Sequence, residues 1–148
     1  IEVKALVEED VDLILNEWQA PAGRKFCPAH LAVLSAKCKA ALSPLYLRLA
    51  FDTAASLWHS YSMDEDLVLE PSLTELIHAL FARLEARHGE VLVRHALGYV
   101  TCAAGAGGIT SAELEDVLSC DDEVLQDVYQ WWTPPVRRIP PLIWSRVR

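Results

Sequence analysis

Apolar residues recur at helical spacing along most of this chain. The first amphipathic pattern predicts a helix that ends before Pro21 and Gly23. Its inward residues are Val11, Ile14, Leu15 and Trp18. Two further helices are predicted to begin at Pro28 and Pro44, because a first helical turn tolerates proline, and Ser43 is a suitable cap for the third. The predicted inward stripes are Leu31, Leu34, Cys38 and Leu42 in the second helix, and Leu47, Phe51, Ala54 and Trp58 in the third.

The clearest helix signal begins at Ser72. Ser72 and Glu75 form an S-x-x-E capping box, and Gly89 suits the position after the last turn. Between them runs a complete stripe of period 3.6. Its members are Leu73, Leu76, Ile77, Leu80, Phe81 and Leu84. We therefore expect one long helix that ends the first part of the chain.

The chain after Gly89 predicts three shorter helices. The first covers residues 91–103, the second opens with a capping box at Thr110 and Glu113, and Asp121 caps the third. We expect Leu114, Val117 and Leu118 to face inward in the second, and Val124, Leu125 and Val128 in the third. The last two helices form a tight helix–turn–helix. Paired prolines at 134–135 and 140–141 predict an extended segment between them.

Together these patterns predict a mainly α fold with six or seven helices. A helical bundle over residues 1–88 precedes a winged-helix-like helix–turn–helix domain over residues 89–148, which is expected to be incomplete. The only candidate for a strand is the short segment 3–7. The chain has no initiator methionine, from which we expect a segment of a longer protein.

Composition and charge narrow the functional classes. The chain has 148 residues, of which 52% are apolar, and a formal net charge of −8. An acidic chain is a poor partner for phosphate-rich nucleic acid or anionic membranes, and no apolar run approaches the ~20 residues of a membrane span. The helix after Asp121 is itself acidic, so it is unsuited to reading DNA bases. We expect a soluble, cytoplasmic protein that binds neither nucleic acid nor membrane.

The sequence carries no catalytic or metal-binding signature. The phosphate-binding pattern G-x-x-x-x-G-K-[ST] is absent, and the glycine cluster at 105–108 is interpreted as a flexible connector. Two Glu-x-x-His matches, at 75–78 and 85–88, lie on one predicted helix about 15 Å apart, so they cannot share a metal pair. We predict no catalytic residue and no metal site.

Cysteine and tryptophan residues leave two alternatives open. The four cysteines are interpreted as reduced core thiols. The alternative is that the protein is a cysteine hydrolase, which would need one of them beside a histidine in an accessible cleft. Those cysteines are Cys27, Cys38, Cys102 and Cys120. Trp131 and Trp132, if exposed, are candidates for a partner-binding patch.

Six segments taken in order resemble one family. They are residues 42–47, 58–61, 84–89, 96–100, 113–119 and 140–144. Together they resemble the region that follows the nucleotide-binding core in NACHT-type signalling ATPases, above all the NACHT and WD-repeat domain-containing proteins, with nephrocystin-type NACHT proteins as relatives. The resemblance covers nearly the whole chain.

The resemblance implies a helical domain and a winged-helix domain that close over nucleotide bound to the core. By the same resemblance Pro44 is the residue that packs against the adenine ring; the family has glycine two positions earlier, where this chain has Leu42. ADP or ATP would be bound through the parent protein and not by the segment alone. The expected partners are the nucleotide-binding core and the WD-repeat region of the same chain, with possible homo-oligomers. The segment itself is not expected to be an enzyme, and the alternative function is a stand-alone helical protein-interaction domain.

Overall fold

The computed structural model describes residues 6–63, 67–130 and 133–147, with side chains to residue 145. Within these ranges the chain is helical and contains no strand. Eight helices follow in order: α1 Glu8–Gln19, α2 Pro28–Ala41, α3 Pro44–Leu57, α4 Leu73–His88, α5 Glu90–Ala104, α6 Ser111–Cys120, α7 Asp122–Val128 and α8 Pro141–Val147. The mainly α prediction is confirmed.

The structure divides into two compact units, Ile1–Ala79 and Leu80–Arg148. The division falls inside α4, whereas the sequence places a domain boundary after residue 88; that domain assignment stays a prediction. None of the described helices is long and apolar enough to cross a membrane.

The first unit is built around aromatic side chains on α3 and at its C-terminal cap. Tyr46, Phe51 and Trp58 are almost completely buried, and side chains of this size contribute about 1.5–3 kcal/mol each on burial. Phe26 contacts the rings of both Phe51 and Trp58 edge to face. A polar contact joins α1 to α2, where Asp12 accepts hydrogen bonds from Lys39 at 2.6 Å and Ser35 at 2.5 Å. The Lys39 bond, with that from Ser35, lowers the pKa of the Asp12 carboxyl.

The second unit has a smaller, mostly aliphatic core. Its buried residues are Leu92, Ala96, Leu118, Val124, Leu125, Ile139 and Trp144. Helices α5, α6 and α7 pack against one another, and the segment around Ile139 closes over them. The amide of Ile139 donates to Ser119 Oγ at 3.1 Å in the interior.

Several local predictions differ from the structure. Helix α8 adds to the six or seven predicted, because Pro141 occupies a first helical turn and does not extend the preceding segment. In the predicted α4 stripe only Leu76 is buried, and Phe81 is 37% exposed. Val117 is also 37% exposed, so it does not share the inward face of Leu118. Trp131 and Trp132 lie outside the described residues, and so do residues 3–5 of the strand candidate 3–7.

The core-thiol interpretation is correct for one cysteine only. All four thiols are free; Cys38 is buried, Cys27 is partly buried, and Cys102 and Cys120 are exposed. Cys102 lies on the outer face of α5 and Cys120 ends α6, so helix packing covers neither. Burial raises the pKa of the Cys38 thiol to about 12, which keeps it protonated and unreactive near neutral pH.

Candidate functional site

The junction between α2 and α3 positions Pro44. Leu42 caps α2 in the left-handed conformation, at φ 43°, and its amide donates to Cys38 O at 2.9 Å. The Ser43 hydroxyl accepts a hydrogen bond from the Tyr46 amide at 3.4 Å, and Pro44 is the first residue of α3. Leu42 was predicted to continue the inward stripe of α2. That prediction is wrong, because the left-handed residue ends the helix and leaves this side chain 42% exposed.

Three neighbouring apolar residues at this junction face solvent. We call Leu42, Pro44 and Leu45 the α3 shoulder: Pro44 is exposed, and Leu42 and Leu45 are 42% and 51% exposed. The next residue, Tyr46, is fully buried, and its hydroxyl donates to Glu70 O at 2.6 Å. The pKa of Tyr46 is raised, mainly by burial, so the hydroxyl stays protonated and can donate. The shoulder is therefore an exposed apolar surface fixed to a well-packed helix.

Asp121 forms the second candidate centre, at the junction of α6 and α7. Its Oδ1 accepts from the amides of Glu123 and Val124, which caps α7. Its Oδ2 lies 2.6 Å from His95 Nδ1 and accepts from the Tyr99 hydroxyl at 2.6 Å. Burial alone would raise the pKa of Asp121, but the hydrogen bonds from Tyr99, His95 and Val124 outweigh it and hold the pKa at about 2. The sequence predicted the cap but missed His95 and Tyr99, because neither is adjacent in sequence.

The helix–turn–helix unit presents acidic groups that already have basic partners. Arg137 Nη2 lies 2.6 Å from Asp122 Oδ1. Arg138 Nε lies 2.8 Å from Glu115 Oε1, and its Nη2 lies 3.5 Å from Asp116 Oδ1. The two arginines of the extended segment therefore bind the protein's own carboxylates. The expectation that α7 does not enter a DNA groove stays a prediction.

The glycine cluster leads into a helix start that has its own carboxylate. Glu113 Oε2 accepts from the Thr110 amide at 2.8 Å and from its hydroxyl at 2.7 Å, and Thr110 Oγ1 accepts from the Glu113 amide. A phosphate at this position would meet the Glu113 charge. Within residues 6–63, 67–130 and 133–147 no three histidine, cysteine or acidic side chains are grouped as metal ligands would be.

The cysteine hydrolase alternative requires a thiol hydrogen-bonded to an imidazole. Cys27 lines a cavity that His30 and His59 also line. However, His30 Nε2 lies 3.3 Å from Ser62 O, and no described hydrogen bond joins a thiol to either imidazole. The described hydrogen bonds therefore give no support to the cysteine hydrolase alternative, which stays a hypothesis.

One family and several relatives are similar to this chain. The family described as NWD1-like, winged helix-turn-helix domain, matches residues 62–147. The NACHT domain- and WD repeat-containing protein 1 of Homo sapiens is 42% identical in a match 150 residues long. The match covers 99% of this chain and 9% of that protein. The mouse protein of the same name gives the same identity and coverage.

A second relative is more distant. The NACHT and WD repeat domain-containing protein 2 of Homo sapiens is 34% identical over 107 residues, or 71% of this chain and 6% of that protein. The chain therefore spans under a tenth of the length of these relatives. No solved structure gives a significant match.

Proposed function

The chain belongs to the NWD1-like winged helix-turn-helix family, and we propose that it is the regulatory accessory region of a NACHT-type signalling ATPase. In this role it closes over the nucleotide-binding core of the same protein and opens when the bound nucleotide changes. ADP or ATP is held by that core, and this segment performs no catalysis itself. Because it contacts the core better in one nucleotide state than in another, nucleotide identity shifts the populations of closed and open forms.

The α3 shoulder is the observation that carries this proposal. Exposed apolar residues occur singly on most protein surfaces, but Leu42, Pro44 and Leu45 are clustered at one helix start. A proline at the first helical position has no amide hydrogen to leave unsatisfied, so its ring can face a flat apolar partner. An adenine ring held by the core is such a partner, and Leu42 and Leu45 would rest on the protein around it.

Replacement of Pro44 tests the proposal in the full-length protein. Pro44→Ala keeps a residue that α3 tolerates at its start but removes the ring, so we expect ADP binding to weaken about fivefold, as for ~1 kcal/mol of lost apolar contact. The measurement is ADP affinity by calorimetry, together with nucleotide-dependent assembly by light scattering.

The chain supplies a matched control for this variant. Pro28 is also exposed and also begins a helix, α2. Pro28→Ala makes the same chemical change at the same helical position and should leave ADP affinity unchanged. If Pro44→Ala and Pro28→Ala gave equal ADP affinities, Pro44 would be a helix-start residue only, and the assignment of the shoulder would be wrong.

A stand-alone protein-interaction domain is the second candidate function. The observation that favours it is an apolar groove of about 290 Å³ within the second unit. Its lining includes Leu84, Val93, Leu97, Leu114 and Trp144. An interaction domain would bind its partner equally in the presence of ADP and ATP, whereas the regulatory region would not. Affinity measured in both nucleotides separates the two functions.

A further inference from the structure

Residues 133–138, which we call the strap, lie beside the turn between α6 and α7. Five of these six residues are exposed, and Pro134 is partly buried. Among the described residues, no backbone–backbone hydrogen bond joins the strap to the rest of the chain, and Pro134 and Pro135 carry no amide hydrogen. The strap is therefore held in place by side chains and not by a hydrogen-bonded ladder.

Arg137 joins the strap to the turn between α6 and α7. Its Nη2 donates to Cys120 O at 2.8 Å and lies 2.6 Å from Asp122 Oδ1, and its Nε donates to Ser119 O at 3.4 Å. One guanidinium therefore binds the last carbonyls of α6 and the first turn of α7 together. The side chains of Arg137 and Asp122 are 57% and 77% exposed, so dissolved salt can screen this ion pair.

Arg138 is held both by its side chain and by its backbone. Its guanidinium pairs with Glu115 and Asp116, at 2.8 Å and 3.5 Å. The Tyr129 hydroxyl donates to Arg138 O at 2.6 Å and accepts a hydrogen bond from the Arg138 amide at 3.0 Å. Because an amide proton exchanges with solvent only while its hydrogen bond is broken, the Arg138 amide reports directly whether the strap is closed.

The residue after the strap is held in a different way. Ile139 is fully buried in the core of the second unit, and its amide donates to Ser119 Oγ, which is also buried, at 3.1 Å. Release of Ile139 would expose an apolar side chain to water, whereas release of the strap exposes charged and polar groups that water solvates. The chain therefore changes from weakly held to firmly held between Arg138 and Ile139.

We propose that the strap is a salt-sensitive latch, which opens locally while Ile139 and the core of the second unit stay folded. Exposed ion pairs hold the closed form, and opening restores the conformational freedom of the strap residues, so the two forms differ little in free energy. Opening removes the strap from one wall of a groove of about 530 Å³, which Leu125 and Tyr129 line on the side of α7. The latch thus controls access to this face of α7. It involves contacts within the second unit alone and does not depend on the proposed regulatory function.

Native-state hydrogen exchange of the 148-residue chain, followed by NMR, tests the latch. The Arg138 amide reports on the strap and the Ile139 amide on the core, each relative to the Leu125 amide, which donates to Asp121 O at the start of α7. An increase in sodium chloride from about 0.1 M to about 1 M shortens the range of exposed charges from ~10 Å to ~3 Å. We expect this increase to lower the protection of the Arg138 amide about threefold or more. The protection of the Ile139 amide should not change.

Arg137→Gln is the decisive variant, because it removes the charge that joins the strap to the turn. We expect the protection of the Arg138 amide to fall about fivefold, as for one charged hydrogen bond, with no loss at Ile139. Arg94→Gln is the matched control, since Arg94 is an exposed arginine of the same unit that pairs with Glu90 on α5. It should leave the protection of the Arg138 amide unchanged.

Three results would overturn the proposal. The first is equal protection of the Arg138 and Ile139 amides with the same response to salt, because the strap would then open only when the core opens. The second is an Arg138 amide that does not respond to salt. The third is equal protection of the Arg138 amide in Arg137→Gln and Arg94→Gln. The salt experiment uses the unaltered chain, so it tests the latch even if Arg137→Gln fails to fold.

Discussion

The two units of this chain are stabilised by different kinds of interaction. In the first unit the largest buried side chains are aromatic, and their rings meet edge to face: Trp18 and Phe51 at 5.5 Å, Phe26 and Phe51 at 5.8 Å. In the second unit the fully buried side chains are aliphatic, and the helix junctions are joined by polar groups. Asp121 links α5 to α7, and Ser119 links α6 to the segment at Ile139.

This difference predicts different weaknesses. Aromatic packing depends on area and fit, and it is insensitive to pH. A partly buried carboxylate that accepts four hydrogen bonds, as Asp121 does, stabilises the folded state most while it is ionised. We therefore expect the first unit to be the more sensitive to loss of volume and the second unit to be the more sensitive to acid.

The largest expected effect is from truncation of Phe51. Phe51→Ala leaves a cavity among Trp18, Phe26 and their neighbours and should lower the free energy of unfolding by about 3–5 kcal/mol. Urea denaturation followed by circular dichroism measures it. Phe81→Ala is the control, because it makes the same change at a side chain that is 37% exposed and should cost less than half as much. Equal costs would contradict the claim that ring packing stabilises the first unit.

Asp121 is the corresponding residue of the second unit. Asp121→Ala removes the α7 cap and the acceptor of Tyr99 and His95, so it should lower the free energy of unfolding by about 2 kcal/mol. Asp122→Ala is the neighbouring control. Asp122 is exposed and pairs with Arg137, and surface pairs contribute about 0–1 kcal/mol. A cost at Asp121 no larger than that at Asp122 would show that the junction is not held by this carboxylate.

The pH dependence of the same group has a defined sign. The pKa of Asp121 is about 2 in the folded protein, below its ordinary value of 3.8. The stability it contributes is present above pH ~4 and is lost as the pH falls toward 2. The indole NMR signal of Trp144, in the second unit, should therefore respond to acid before that of Trp58. In Asp121→Asn the Trp144 signal should lose most of this pH dependence; an unchanged acid response would assign it to other carboxylates.

Much of this architecture follows from local sequence. The starts of α2 and α3 follow from Pro28 and Pro44, and the starts of α6 and α7 from Thr110 and Asp121, since each signal acts within one helical turn. α8 was missed because Pro140 and Pro141 suit an extended segment and a first helical turn equally well. Periodicity predicts that the apolar stripe of α4 lies on one face of the helix. It does not predict how much of that stripe is buried, because burial depends on what packs against the face.

The functional surfaces were less predictable than the helices. Pro44 came from a resemblance, and its own sequence context indicates only a helix start. The contact between Arg24 and Trp58 has no local signal, because the two residues meet only after α1, α2 and α3 have packed. His95 and Tyr99 likewise reach Asp121 from a different helix. Contacts of this kind depend on tertiary packing, which a single sequence does not specify by spacing.

The smallest effect on stability is expected at Leu42. In the first unit this leucine occupies a left-handed position, whereas the second unit has glycine at its positive-φ positions, such as Gly89 at 98°. Leu42→Gly and Leu42→Ala remove the same side chain, but only glycine adopts φ 43° without strain. The strain of about 1–2 kcal/mol exceeds the entropy cost of glycine, about 0.4–1 kcal/mol, so the glycine variant should be the more stable by roughly 0.5–1 kcal/mol. The same pair at Leu45, the second residue of α3, should give the opposite order, because glycine has a lower helix propensity than alanine. Urea denaturation of the four variants measures both differences. If alanine were the better residue at both positions, Leu42 would not be left-handed, and the geometry of the α3 shoulder would have to be revised.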